Sequence, residues 1–216
     1  MEKGSLTFLG KDSGFGKNNN SAYYIEKNEL TIIDCGFSVF EKIKEKPNLE
    51  QYNSINIIIT HLHNDHSGSL SQLILYLWFV LGKKATILSQ CQNIQQYLDI
   101  TGTPRNSYIL KNNLDNLKFI KTEHTEYLDA YGFILKINNK TIVYTGDTNT
   151  IEPFLPYISK CNELYIDVSR FGGAHLKIDD ILDTLISLQK RNIKVYLMHL
   201  DDKEYIKKII GNNFII

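Results

Sequence analysis

The sequence predicts an α/β fold of two sheets with helices outside them. Three observations carry this. Short β-rich runs bounded by Gly, Asn and Asp alternate with helical runs. The strand runs fall into two groups, each with its own hairpin signal. The 216 residues, 43% hydrophobic and 22% charged, suit one domain over residues 1–216 with a real core, and not a disordered chain.

The elements follow in order along the chain. Ser5–Leu9 reads as a first strand, then a polar, Gly-containing loop over Gly10–Asn20. Ser21–Glu26 and Leu30–Asp34 form a hairpin around Lys27-Asn28-Glu29. Ile55–Thr60, Ile-rich and without alternation, is a buried strand. A helix starts near Ser69, carries the apolar run Leu73–Leu81 and stops at Gly82; its Trp78 and Phe79 are read as core. Ala85–Leu88 is a short strand, Gln92–Asp99 a helix, Leu117–Lys121 a strand. Gly132–Ile137 and Lys140–Thr145 flank the turn Asn138-Asn139. Leu164–Val168 and Val195–Met198 are strands. Between them Asp179–Lys190 is an amphipathic helix that buries Ile181, Leu182, Leu185, Ile186 and Leu188. Lys203–Ile210 closes the chain as a helix.

Composition excludes some functions. Lys plus Arg and Asp plus Glu are both 24, giving a formal net charge of zero. Bulk electrostatic attraction to nucleic acid or to an anionic membrane is therefore not expected. The longest apolar run, Leu73–Leu81, falls well short of the ~20 residues of a membrane span. The opening MEKGSLTFLG has no apolar signal-peptide core. Cys35, Cys91 and Cys161 are odd in number and form no CxxC pair. They read as reduced, buried thiols of a cytoplasmic protein.

The histidines carry the chemistry. His61, His63, His66, His124 and His199 each follow a predicted strand or sit in the turn it feeds, where α/β folds place ligand groups. Asp147 sits in the same kind of place, after Ile142-Val143-Tyr144-Thr145-Gly146. The run Thr60-His61-Leu62-His63-Asn64-Asp65-His66 is H-x-H-x-D-H. Imidazole and carboxylate suit zinc, and also iron or manganese. Residues two apart in extended chain point the same way, so His61 and His63 can grip one ion. A turn at Asn64 lets Asp65 and His66 face a second. A two-metal site can clamp a displacement reaction. Taken singly, His124 reads equally well as a packed residue, and Asp147 as a turn or cap residue.

The motif series resembles the metallo-β-lactamase fold superfamily over nearly the whole chain. Leu30–Gly36, ending in Asp34, looks like its first motif, and Thr60–Gly68 like its second. Glu123-His124-Thr125 with Tyr131-Gly132-Phe133 looks like the third, Tyr144–Thr148 the fourth and Met198-His199-Leu200 the fifth. The resemblance implies a four-layer αββα sandwich and two divalent metal ions, zinc first, manganese or iron otherwise. It implies that His61, His63 and His124 hold one ion, that Asp65, His66 and His199 hold the other, and that Asp147 bridges them. Asp34 then fixes the metal-binding loop from behind, its rival role being that of a turn residue.

Departures within the superfamily point to a branch. Asn64 stands where the redox diiron branch usually has Glu. No cysteine falls at a metal motif. The stretch after His124 lacks the His-Thr-Pro-Gly-His of the glyoxalase II-type thioesterases and is closer to the phosphodiesterases. Gly172-Gly173-Ala174-His175-Leu176-Lys177 resembles their G-H-L-S-like motif before a helix, although Ile178 differs. There an extra histidine faces the scissile phosphate, so His175 would stabilise charge or protonate the leaving oxygen; the rival role is a helix-start residue. The short, hairpin-like stretch between His124 and Asp147 leaves no room for the long arm of tRNA 3′-end endonucleases, so a nucleic-acid partner is not expected.

The resulting expectation is a binuclear phosphodiesterase acting on a small or cyclic phosphodiester through a hydroxide bridging the ions. Asp65 and His175 would act at the reacting atoms. The resemblance also implies a homodimer, for which one side of the Leu73–Leu81 helix is a candidate surface. Arg170, Lys177 and Lys17, the last in the loop Gly14-Phe15-Gly16-Lys17, are weaker candidates for substrate contact; solvent-facing charge is their alternative role. The competing functions are a metal-dependent thioester, lactone or amide hydrolase on the same fold, and a non-catalytic metal-binding sensor.

Overall fold

A computed structural model of the chain describes residues 4–45, 48–211 and 214. The chain divides into two compact units, the first ending at Asn113 and the second beginning at Leu114.

The first unit is a six-stranded sheet in sequence order: β1 (Thr7–Gly10), β2 (Ser21–Glu26), β3 (Glu29–Ile33), β4 (Ser54–Ile58), β5 (Ala85–Leu88) and β6 (Tyr108–Lys111). β1–β2 and β2–β3 are antiparallel; β3 to β6 run parallel. Lys27 and Asn28 both take positive φ (49° and 64°), so the β2–β3 loop is a two-residue turn. That geometry matches the strand twist and lets β3 begin at Glu29, one residue before the expected Leu30. β4 lies between two parallel neighbours, which is why its Ile55, Ile57 and Ile58 are all buried.

The helices of this unit are α1 (Val39–Glu45), α2 (Asn64–Ser67), α3 (Leu70–Phe79) and α4 (Ile94–Ile100). α3 buries Leu70, Leu73, Ile74 and Leu77. It ends where the Lys83 N–H donates to Leu77 O (2.8 Å), beyond Gly82 at φ 64°. Phe79 is 71% exposed, contrary to the expectation that it packs in the core. An apolar run longer than the buried stripe of a helix must turn some side chains outward. α1, α2 and β6 were not expected. α1 and α2 are under two turns long, too short for periodicity to show. β6 is an edge strand whose Ile109 and Leu110 are exposed, so its place depends on the ladder to β5.

The second unit is a five-stranded sheet, ordered β11-β10-β9-β8-β7: β7 (Leu117–Thr122), β8 (Ala130–Ile137), β9 (Lys140–Tyr144), β10 (Glu163–Asp167) and β11 (Lys194–Met198). Its helices are α5 (Leu155–Ile158), α6 (Ile178–Lys190) and α7 (Lys203–Ile210). Asn138 and Asn139 (φ 48° and 61°) close the β8–β9 hairpin as expected. β10 has parallel neighbours on both sides and all five residues buried. Phe133, Tyr144, Tyr165 and Tyr196 occupy matched positions on β8 to β11 and stack in a ladder, with centroids 4.8, 6.3 and 4.6 Å apart. The opposite face packs Val143, Leu164, Ile166, Val195 and Leu197 against Ile181, Leu185 and Leu188 of α6 and Ile206 and Ile210 of α7. Leu182 and Ile186 are only half-buried. The packed ladder fixes the strand ends after which Asp147 and His199 follow.

All three cysteines are free and buried, as expected. Among the described residues no helix is long and apolar enough to cross a membrane.

Candidate metal centre

In the first unit the site residues ride on the turn after β4. Asp34, at φ 59° just beyond β3, is fully buried and holds that turn. Its carboxylate accepts the Thr60 N–H (2.8 Å), the Thr60 hydroxyl (2.9–3.0 Å) and His66 Nδ1–H (2.9 Å). Burial raises the Asp34 pKa, while the charge and hydrogen bond of His66 and the bonds from Thr60 oppose it.

These bonds also set the imidazole tautomers. The one Thr60 hydroxyl proton goes to Asp34, so Thr60 Oγ1 accepts from His61 Nδ1–H (3.1 Å) and His61 offers an Nε2 lone pair. That Nε2 lies 3.0 Å from His63 Nδ1. His66, with Nδ1–H committed to Asp34, turns Nε2 toward Asp65 Oδ2 at 3.1 Å, and its ring lies 4.1 Å from that of His61. Donor atoms gathered this closely, with tautomers fixed from behind, are what a divalent cation requires. The loop after β1 reaches the same place: a Cβ on Gly14 would stand 3.4 Å from Asp65 Oδ2. Lys17 is exposed on that loop.

In the second unit the strand ends after β7, β9, β10 and β11 supply the groups. His124 is buried, and its Nδ1–H donates to Ala174 O (2.9 Å), so Nε2 again carries the lone pair. His199, at φ 56° directly after β11, brings Nε2 to 3.2 Å from Asp147 Oδ2. Asp147 follows Gly146 at φ 60°, where a Cβ would overlap the backbone oxygen of Tyr131. His175 Nδ1 bonds Asp167 Oδ2 (2.8 Å) and lies 4.0 Å from Asp147 Oδ2. Its ring stacks on His199 at 4.7 Å. Burial is the largest influence on the His175 pKa and lowers it, but the hydrogen bond and charge of Asp167, with the charge of Asp147, outweigh it and the net shift is upward.

Thus His61, His63, Asp65 and His66 meet in one unit with Asp34 behind them. His124, Asp147, His175 and His199 meet in the other. The candidate set omitted Asp167. It is fully buried at the end of β10, also accepts the Thr148 N–H (3.0 Å), and belongs with Asp147, His175 and His199 to a group whose ligand atoms all lie within 4.8 Å of one another. Its signal in the sequence was slight, a single Asp within the otherwise apolar run Leu164–Val168. Arg170 pairs with Asp202 (2.7 Å) and lies over the Tyr205 ring (4.6 Å); Lys177 is exposed at the start of α6.

The donor set of three imidazoles and a carboxylate in one unit, and of imidazoles with carboxylates in the other, fits zinc, manganese or iron.

Comparison with known proteins follows the same lines. The family model described as anti-Pycsar protein Apyc1 matches residues 4–98. An anti-Pycsar protein Apyc1 from Bacillus phage vB_BsuM-Goe3 is 28% identical, covering 98% of this chain and 93% of its own. The crystal structure of the metallo-β-lactamase fold protein YhfI from Bacillus subtilis aligns with TM-score 0.75 at 18% identity, over 97% of this chain and 92% of YhfI. A diphosphatase from the PhnP family aligns with TM-score 0.68 at 15% identity, over 98% and 92%. The chain carries the metallo-β-lactamase fold.

Proposed function

We propose that the chain is a two-metal phosphodiesterase for a small or cyclic phosphodiester, one hydrolase domain over residues 1–216. His61, His63 and His124 would hold one ion, Asp65, His66 and His199 the other, and Asp147 both. When bound, the metals supply positive charge to the phosphodiester oxygens and acidify water to a nucleophile. Asp65 and Asp147 orient this centre. The observation that carries the reading is the His175–Asp167 pair. Asp167 holds Nδ1, so Nε2 is the nitrogen that can face a substrate, and the Asp167 and Asp147 carboxylates favour the protonated ring against the effect of burial. An imidazolium so held can hand that proton to the leaving alkoxide oxygen as the P–O bond breaks. The side chain is 22% exposed, open enough to reach a ligand.

Two further observations support a compact substrate. β8 and β9, between His124 and Asp147, make a plain tight hairpin with no arm. A diphosphatase is among the proteins of similar fold. The homodimer expectation rests on the family resemblance, and α3, whose end exposes Phe79 and Val80, is its candidate surface.

The test is hydrolysis of bis(p-nitrophenyl) phosphate by zinc- or manganese-loaded protein, beside His175→Ala. The variant should keep its metal by elemental analysis and lose turnover by about 10²- to 10⁴-fold. Full activity in His175→Ala would refute the assigned role. An inactive wild type with metal bound would move the reading to thioesters or lactones.

A further inference from the structure

We infer that Ser169 and Asp201 form a clasp that positions two imidazoles at once, His124 and His175. Ser169 lies two residues beyond Asp167 and is 3% exposed. Its hydroxyl donates to Asp201 Oδ2 (2.5 Å) and accepts the N–H groups of Phe171 and Gly172 (2.9 Å each). That uses the one proton and both lone pairs of the oxygen. The other carboxylate oxygen of Asp201 accepts the Arg170 N–H (2.9 Å). The Ser169 backbone closes the base of the same loop, donating to Leu176 O (2.8 Å) and accepting from Ile178 N–H (2.9 Å).

The loop so closed runs Gly172-Gly173-Ala174-His175, with both glycines in the left-handed region (φ 75° and 76°). A Gly-Gly segment has large conformational freedom to lose, so something must hold it. Two adjacent residues of the loop then do different work. Ala174 O accepts His124 Nδ1–H and sets that ring, while His175 reaches Asp167. Asp201 also lies two residues after His199, so the clasp ties the His199 turn to the loop that orients the other two rings. Ser169 and Asp201 act through the loop backbone they hydrogen-bond; they are positioning residues. An error of an ångström in such groups costs up to about a hundredfold in rate.

The kinetic part of the test rests on the phosphodiesterase reading; the spectroscopic part does not. Ser169→Ala and Asp201→Ala are made in zinc-loaded protein. Both should lower kcat by about ten- to a hundredfold with KM near the wild-type value. Both should also broaden or remove the downfield Nδ1–H proton signals of His124 and His175. Asp201→Asn, which keeps one acceptor, should fall between. Asp201 is exposed, so Asp201→Ala is the variant expected to keep the wild-type melting transition, and its result decides should Ser169→Ala unfold. Wild-type kcat in Asp201→Ala, or unchanged Nδ1–H signals in both alanine variants, overturns the clasp. A wild type that cleaves no phosphodiester defeats the reaction assigned above, while the Nδ1–H signals still decide the clasp.

Discussion

Asp34 and Asp167 do the same work, one in each unit. Each is a buried carboxylate that accepts a backbone N–H and an imidazole Nδ1–H. Asp34 stands behind His66, fixing Nδ1–H and leaving Nε2 beside Asp65. Asp167 stands behind His175 and, with Asp147, raises its pKa against the effect of burial. Cysteine shows the same control by surroundings. Burial pushes the Cys35 thiol up to about 12 and the Cys161 thiol up to about 11. Since the thiolate is the reactive form, neither should be alkylated by iodoacetamide at pH 8 in folded protein, and both should react once urea unfolds it. Labelling of Cys35 in the native state, read by mass spectrometry, would contradict this placement. At this scale the sequence was most informative where unlike ligand types crowd together, as in His61-Leu62-His63-Asn64-Asp65-His66. Asp167 escaped because one Asp at a strand end carries no pattern of its own.

Strand ends and the turns after them place the chemistry, and left-handed residues mark several of them: Asp34 after β3, Gly146 after β9 and His199 after β11. A non-glycine residue there is strained by about 1–3 kcal/mol and persists because its surroundings fix it. Gly146→Ala combines that strain with an overlap at Tyr131 O. It should destabilise the protein by about 1–3 kcal/mol, read as a lower urea midpoint; an unchanged midpoint would show that the turn can relax. Hairpins were the most legible elements. Their turns are written in residue types that tolerate positive φ, as Asn28, Asn138 and Asn139 do. β6 was illegible because an edge strand with outward Ile109 and Leu110 has neither alternation nor burial to betray it. Phe79 misled for the converse reason: hydrophobic character in a helix does not say which side faces the core.

For the whole molecule, the fold was legible because five separate motifs kept one order along the chain, each weak alone except Thr60–Gly68. Charge balance and the lack of a long apolar run removed the broad alternatives. The substrate was not legible: the candidate contact residues Lys17, Arg170 and Lys177 lie in loops whose side chains follow no periodic rule. The metals should also act as ligands of the folded state. A ligand that binds only the native form raises its stability with concentration. Removal of zinc by a chelator should therefore lower the melting temperature by several degrees, and added zinc should restore it; a melting temperature indifferent to metal would count against the donor sets described.

Asp147 is the residue on which the account depends most, since it meets His199 and lies near His175 and His124. The decisive measurement is turnover of bis(p-nitrophenyl) phosphate, with metal content per chain, for the wild type and Asp147→Ala. Two metal ions and turnover are expected in the wild type, and loss of metal together with activity in the variant. Equal turnover by Asp147→Ala, or a wild type that holds two ions and cleaves nothing, would contradict this.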